Sequence, residues 1–238
     1  MHIIVNLLIL AIIGFCAWQG YRRGVLGSIL AVVFIIIAIY GGNLLANTWS
    51  HEFTTIFRPF LSGYLTQMEV DAVETVAPAH LQGLSTEDLF RIDSSLEPEV
   101  SRQLFLELGV HESREEKLTD RYLDGRDAGE TFNHAMTDTL VYAFCFLMVF
   151  VVAFLLILIG FTVLYNLIPF SFKFPGLKLV DGIAGGVFGV IQGFLLVFML
   201  AWLLGYLGLL FPEDFILEDA SILEFFVRSN HVGGFIDI

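Results

Sequence analysis

Asp181-Gly-Ile-Ala-Gly-Gly-Val-Phe-Gly-Val-Ile-Gln-Gly193 is the stretch on which the fold turns. Glycine in a helix interior costs about 1 kcal/mol relative to alanine, so five in an apolar run need a reason. At about 100° per residue, Gly182, Gly185, Gly186, Gly189 and Gly193 share an arc of roughly 100°. Such a face lets another backbone come close. In a bilayer this marks a tight helix–helix contact, because lipid leaves packing as the main attraction.

The surrounding composition supports a bilayer. Of 238 residues, 56% are hydrophobic and only 16% are charged, against about 25% charged in soluble domains. Mean hydropathy is +0.77. Residues 1–21, 24–50, 139–172 and 182–212 carry no Asp, Glu, Lys or Arg. A span needs roughly 20 mostly apolar residues. The pattern predicts an all-α integral membrane protein with four transmembrane helices, at about 3–21, 24–46, 138–166 and 181–210. Four segments follow: a transmembrane hairpin over 1–46, an acidic helical insert over 47–137, a second hairpin over 138–210 and an amphipathic C-terminal segment over 211–238.

The net charge of −13 is concentrated. Residues 51–138 hold 18 acids and 7 bases. That balance argues against nucleic acid as a partner and against the insert lying flat on anionic lipid. Cys16 and Cys145 both fall in predicted spans, which fits apolar filler rather than a disulfide framework.

Orientation follows from Lys and Arg in the short loops. Arg22 and Arg23 lie between spans 1 and 2, and Lys173 and Lys178 between spans 3 and 4. Both loops are therefore expected in the cytoplasm, with the N-terminus, the insert and the C-terminus extracytoplasmic. The first span reads as a retained helix rather than a cleaved signal, because its positive charges follow the apolar core.

In the insert, Ser85-Thr86-Glu87-Asp88 predicts one helix start, and Ser113-Arg114-Glu115-Glu116 another. Pro98 suits a first turn and Gly109 a stop. The helix beginning near Ser113 could run into span 3, with Gly125 and Gly129 weakening it midway. Glu130, His134 and Asp138 share a helix face, but no second cluster at ligand spacing supports a metal. No cofactor fingerprint and no catalytic motif is present, so the chain reads as non-enzymatic. Beyond Pro212, the C-terminal segment is expected on the outer membrane surface or packed on the insert.

Within the spans, Gly24, Gly27, Ser28, Ala31, Ala38 and Gly42 form a second small-residue stripe. Arg23-Gly-Val-Leu-Gly27 lines up with Asp181-Gly-Ile-Ala-Gly185, so the hairpins read either as a duplication or as a recurrence of small residues at helix starts. Asp181 should find a cation, with Arg22 or Arg23 nearest in depth. Gln192, about 20° from Gly185 on the wheel, is a candidate for an interhelical bond or a polar path. Asn6 and Asn166 carry the same ambiguity.

Asp181 with glycines at +4, +8 and +12, and the Gly20-Tyr-Arg-Arg-Gly24 turn, resemble the colicin V production protein family. The resemblance covers about residues 3–46 and 138–230. It implies a four-span bacterial inner-membrane protein linked to colicin V (bacteriocin) production or export and to envelope homeostasis. It also implies relatives in which such a unit anchors an extracytoplasmic serine protease. This chain departs at Gly182, where members often have Arg, and at Gln192, where they often have a base. The acidic insert is a further departure and suggests an extracytoplasmic protein partner. A homo-oligomer through the glycine face is a second expectation, and a small channel or transporter of two hairpins is the competing function.

Overall fold

The computed structural model describes residues 2–127, 129–167, 178–204, 206 and 225–226. Outside them lie 168–177 of the expected loop with Lys173, residues 205 and 207–210 at the end of the expected fourth span, and all but 225–226 of the expected C-terminal segment over 211–238. The described elements are helical: α1 (His2–Val76), α2 (Thr86–Ile92), α3 (Leu96–Glu107), α4 (Glu112–Gly125), α5 (Phe132–Leu167) and α6 (Lys178–Leu204). Among the described residues, three helical stretches are long and apolar enough to cross a membrane: Asn6–Gly63, Phe132–Leu167 and Leu179–Leu204.

The first of these is broken. Gly24 has φ 79° and ψ 179°, a conformation open in practice only to glycine. The Ser28 hydroxyl donates to the Gly20 carbonyl at 3.1 Å and to the Gly24 carbonyl at 2.8 Å. Eight residues of straight helix would separate Ser28 from Gly20 by about 12 Å. The chain therefore reverses at Gly24, and α1 has two limbs, residues 2–23 and 25–76. The expected five-residue loop is a one-residue break.

Two compact units divide the chain. The first comprises Met1–Ala46, Val149–Leu203 and Leu217–Asp237. Its helices pack antiparallel. The first limb of α1 runs along α6, with Tyr21 at Gly182 and Ile13 at Gly193. The second limb runs along α5: the Tyr165 hydroxyl sits at Gly27, Ile157 at Gly41 and Phe150 at Gly42. Phe34 stacks on Phe161 with centroids 4.5 Å apart, and Phe150 meets Trp202 at 5.1 Å. Ser28 and Ala38 are fully buried. Phe226, from the segment expected on the outer surface or the insert, is buried against Phe194 and Phe198 of α6.

The second unit comprises Asn47–Met148 and Leu204–Ile216, with Ile238. The helix expected to stop at residue 46 continues to Val76, through Pro59. Leu65, Ala72 and Val73, spaced i, i+7 and i+8, are buried on one face, and that packing outweighs the proline penalty. Ser85 caps α2 as expected, its hydroxyl accepting from the Asp88 N–H at 3.2 Å. α3 closes with Val110 N–H to the Phe105 carbonyl and Gly109 N–H to that of Leu106. Gly109 has φ 75°. This is the Schellman closure expected of a glycine stop. α4 starts at Glu112, with the His111 carbonyl accepting from Arg114 and Glu115 N–H groups. The side chain of Ser113, the expected cap, lies outside the described residues. α4 ends at Gly125 instead of running on, and α5 begins at Phe132, six residues before the expected start. Leu89, Val100, Leu104, Phe105, Leu118 and Tyr122 form the core of this unit.

Candidate functional site in the membrane unit

The glycine face of α6 meets the first limb of α1, backbone against backbone. A Cβ at Gly185 would fall 2.5 Å from the Gly20 carbonyl oxygen and 2.7 Å from the Gly24 carbonyl carbon. One at Gly189 would meet Ala17 Cα at 3.0 Å and collide with the Cys16 carbonyl oxygen. One at Gly193 would meet Ile13 Cα at 2.9 Å, and one at Gly182 the Tyr21 ring at 2.8 Å. Gly186, at the edge of the arc, is looser: its nearest neighbour is the Ala17 carbonyl oxygen at 3.7 Å. The expected close approach is thus made within one chain. The opposing face, Ala17, Gly20 and Gly24, was not read as a stripe. Its signal is small-residue spacing of three and four, shorter than the ladder on α6.

Asp181 sits where this seam reaches Gly24. Its Oδ1 accepts from the Val25 N–H at 3.0 Å, and its carboxylate lies where a Gly24 side chain would begin. Val25 opens the second limb, so Asp181 caps a helix N-terminus from another hairpin. A carboxylate is favoured there by the unpaired amides and the helix dipole. The expected partner was Arg22 or Arg23, and among the described residues neither forms an ion pair with Asp181. Arg22 lies over Trp18 at 5.0 Å and Arg23 over Tyr165 at 5.8 Å. The signal for the backbone partner is that Gly20-Tyr-Arg-Arg-Gly24 offers no Ser, Thr, Asp or Asn to cap the second limb.

Gln192 lines a groove of about 260 Å³ in the same unit. Its polar walls are Gln19, Arg23, Thr162, Tyr165 and Gln192. Phe34, Ile35, Leu158 and Leu196, with Gly27 and Ala31, supply the rest. Asn166 is exposed, and the Asn6 side-chain oxygen is buried with no partner among the described residues.

The acidic unit has its own polar network. Glu130, His134 and Asp138 place one ligand atom each within 4.8 Å of the others. Arg58 already fills the cluster: its Nη2 lies 2.5 Å from His134 Nε2 and 2.7 Å from Asp138 Oδ1. The hydrogen bond with His134 holds the Glu130 carboxyl below its ordinary range. A guanidinium therefore stands where a metal would. Elsewhere, Arg126 pairs with Glu97, and the Tyr122 hydroxyl donates to Glu97 at 2.6 Å. Burial pushes the Tyr122 hydroxyl well up.

A chain whose described elements are all helical, with membrane-length helices and a close-packed glycine seam, is a multi-pass membrane protein by architecture. Residues 126–230 match the family model described as colicin V production protein. The matched stretch contains α5, α6, Asp181 and the glycine face, and so supports the resemblance read from those residues. Neither the curated proteins nor the solved structures give a match.

Proposed function

We propose that this chain is a non-catalytic bacterial inner-membrane protein of the colicin V production type. Its four spans form a rigid anchor, and its acidic segment over 47–137 meets a protein partner on the extracytoplasmic side. The output is support of toxin production or export, or of envelope homeostasis. The observation that carries this reading is the family match over residues 126–230. The close glycine seam agrees with an anchor more than with a moving pathway. The partner is sought by photo-crosslinking in cells from Ile92 and Leu123, both exposed on the acidic unit. A discrete envelope or secretion protein captured from these positions is the expected result. Failure to capture any protein from either position, in cells where the chain is required, overturns the scaffold reading.

A channel or small transporter is the second reading, and Gln192 with Gln19 in the groove favours it. Purified protein in liposomes tests it. Ion flux that Gln192→Leu abolishes would replace the scaffold reading.

A further inference from the structure

We infer that the groove in the membrane unit holds the headgroup and upper chain of one anionic phospholipid, with Arg23 as the phosphate ligand. The inference stands apart from the proposed scaffold role.

Arg23 carries a charge left over. Among the described residues, Asp181 is the one acid of the membrane unit, and its Oδ1 is engaged by the Val25 N–H. Among the described residues, Arg23 has no carboxylate within ion-pair distance. Its guanidinium instead lies over the Tyr165 ring, an arrangement that leaves its N–H edge able to donate. Arg22, one residue away, lies over Trp18 and does not line the groove.

The groove is graded along its length. Arg23 and Tyr165 lie at the level of the Gly24 break, since the Tyr165 hydroxyl sits against Gly27. Gln19 and Thr162 come about one turn deeper. Leu158, Phe34, Ile35 and Leu196 line the far end. Counting the helical rise, Leu196 lies about 22 Å along α6 from Asp181. A cation and the Gln19 amide at one end, with walls at the other that are aliphatic and aromatic apart from Gln192, about 16 Å along α6 from Asp181, match an anionic amphiphile. A soluble anion would use only the Arg23 end. The volume, about 260 Å³, falls below the ~300–1,000 Å³ of pockets that enclose a drug-sized ligand. It suits a headgroup and the first part of one chain, with the remainder in the bilayer.

The test is native mass spectrometry of the purified protein in neutral detergent, titrated with phosphatidylglycerol, phosphatidylcholine or inorganic phosphate. One phosphatidylglycerol adduct is expected to saturate first. Phosphatidylcholine and inorganic phosphate are expected to bind about tenfold more weakly or worse. Arg23→Gln should weaken the phosphatidylglycerol adduct by about tenfold, the loss of one charge-assisted contact. Arg22→Gln should leave it unchanged. If Arg23→Gln does not fold, Leu158→Trp, which fills the apolar end, should remove the same adduct. The inference is overturned if both arginine variants lose the lipid equally, if Leu158→Trp retains it, or if inorganic phosphate binds as tightly. A captured protein partner would leave each of these outcomes open, so the two proposals fail separately.

Discussion

The membrane unit and the acidic unit solve the same problem, how to seat polar groups among packed helices, by opposite means. In the membrane unit one carboxylate, Asp181, takes one backbone N–H, and the surrounding contacts are glycine against backbone. In the acidic unit carboxylates recur and are shared. Glu69 accepts from Thr86 at 2.5 Å and from Asn133 at 2.9 Å, and Glu87 from the Phe132 N–H at 2.7 Å. The difference teaches where each unit is fragile. A seam of atoms in contact fails when one methyl group is added at its closest points, Gly185, Gly189 or Gly193. A network near water loses only a part when one member goes.

The largest expected effect breaks the seam. Gly189→Leu drives a side chain into the Cys16 carbonyl and Ala17, and should cost about 3 kcal/mol or more. The measurement is the yield of monodisperse protein in detergent and its unfolding midpoint. Gly186→Ala is the matched control. Its Cβ meets Ala17 at an ordinary 3.7 Å, and the gain in helix propensity should leave the protein as stable or up to about 1 kcal/mol more stable. Equal behaviour of the two variants would mean that the first limb of α1 is not the partner of this face.

Next in size is the cap. Asp181→Ala removes a charged acceptor from the Val25 N–H and should cost about 1.5–3 kcal/mol. Asp181→Asn keeps an acceptor and should lose about half of that. Arg22→Gln and Arg23→Gln should leave unfolding midpoints nearly unchanged. The exchange Arg23→Asp with Asp181→Arg should not rescue the single changes, because a backbone amide has no charge to swap. Rescue would restore the arginine–aspartate pairing read from the sequence.

These two features show what was legible in the residues and what was not. The glycine ladder on α6 was legible because small-residue periodicity is a local property of one helix. Its partner was not, because pairing depends on which hairpins lie side by side. The stripe on the second limb is divided between two neighbours: Gly24 lies against Gly185 and Asp181 of α6, whereas Gly27 and Gly42 meet Tyr165 and Phe150 of α5. Asp181 was legible as a residue needing a partner. The partner itself was hidden, since a charge argument searches side chains and the donor is a backbone amide exposed by Gly24. In the acidic unit the Ser85 cap and the Gly109 stop were legible for the same local reason. The extension of α1 to Val76 was not, because His51, Glu52 and Pro59 interrupt the apolar run while burial of Leu65, Ala72 and Val73 sustains the helix.

A smaller effect sharpens the contrast from the acidic side. Arg58 pairs with Asp138 and His134 at positions that are largely exposed. Arg58→Met should therefore cost about 1 kcal/mol or less. It should also uncover a Glu130–His134–Asp138 face able to take zinc. Zinc should raise the unfolding midpoint of the variant and leave that of the unsubstituted protein unchanged. A zinc-dependent rise in the unsubstituted protein would show that the guanidinium does not hold the site.

The smallest effect separates two carboxylates of the acidic unit by pH. Burial pushes the Glu115 carboxyl above its ordinary value of 4.5, although Arg102 lies 2.7 Å away. Its folded state thus takes up a proton at a higher pH than its unfolded state. Stability contributed by this group rises as pH falls through the raised folded value, and the gain levels off near 4.5. Glu130 acts with the opposite sign: its folded carboxyl lies below 4.5, so its contribution holds above that value and fades only as pH falls through the lowered one. Between neutral pH and about 4.5 Glu115 acts alone of the two. Glu115→Gln should flatten the rise in that window, and Glu130→Gln should leave it intact. The readout is the unfolding midpoint of each variant across the window. A rise that survives Glu115→Gln would place the responsible proton on another buried group, with Glu107, also raised by burial, the next to substitute.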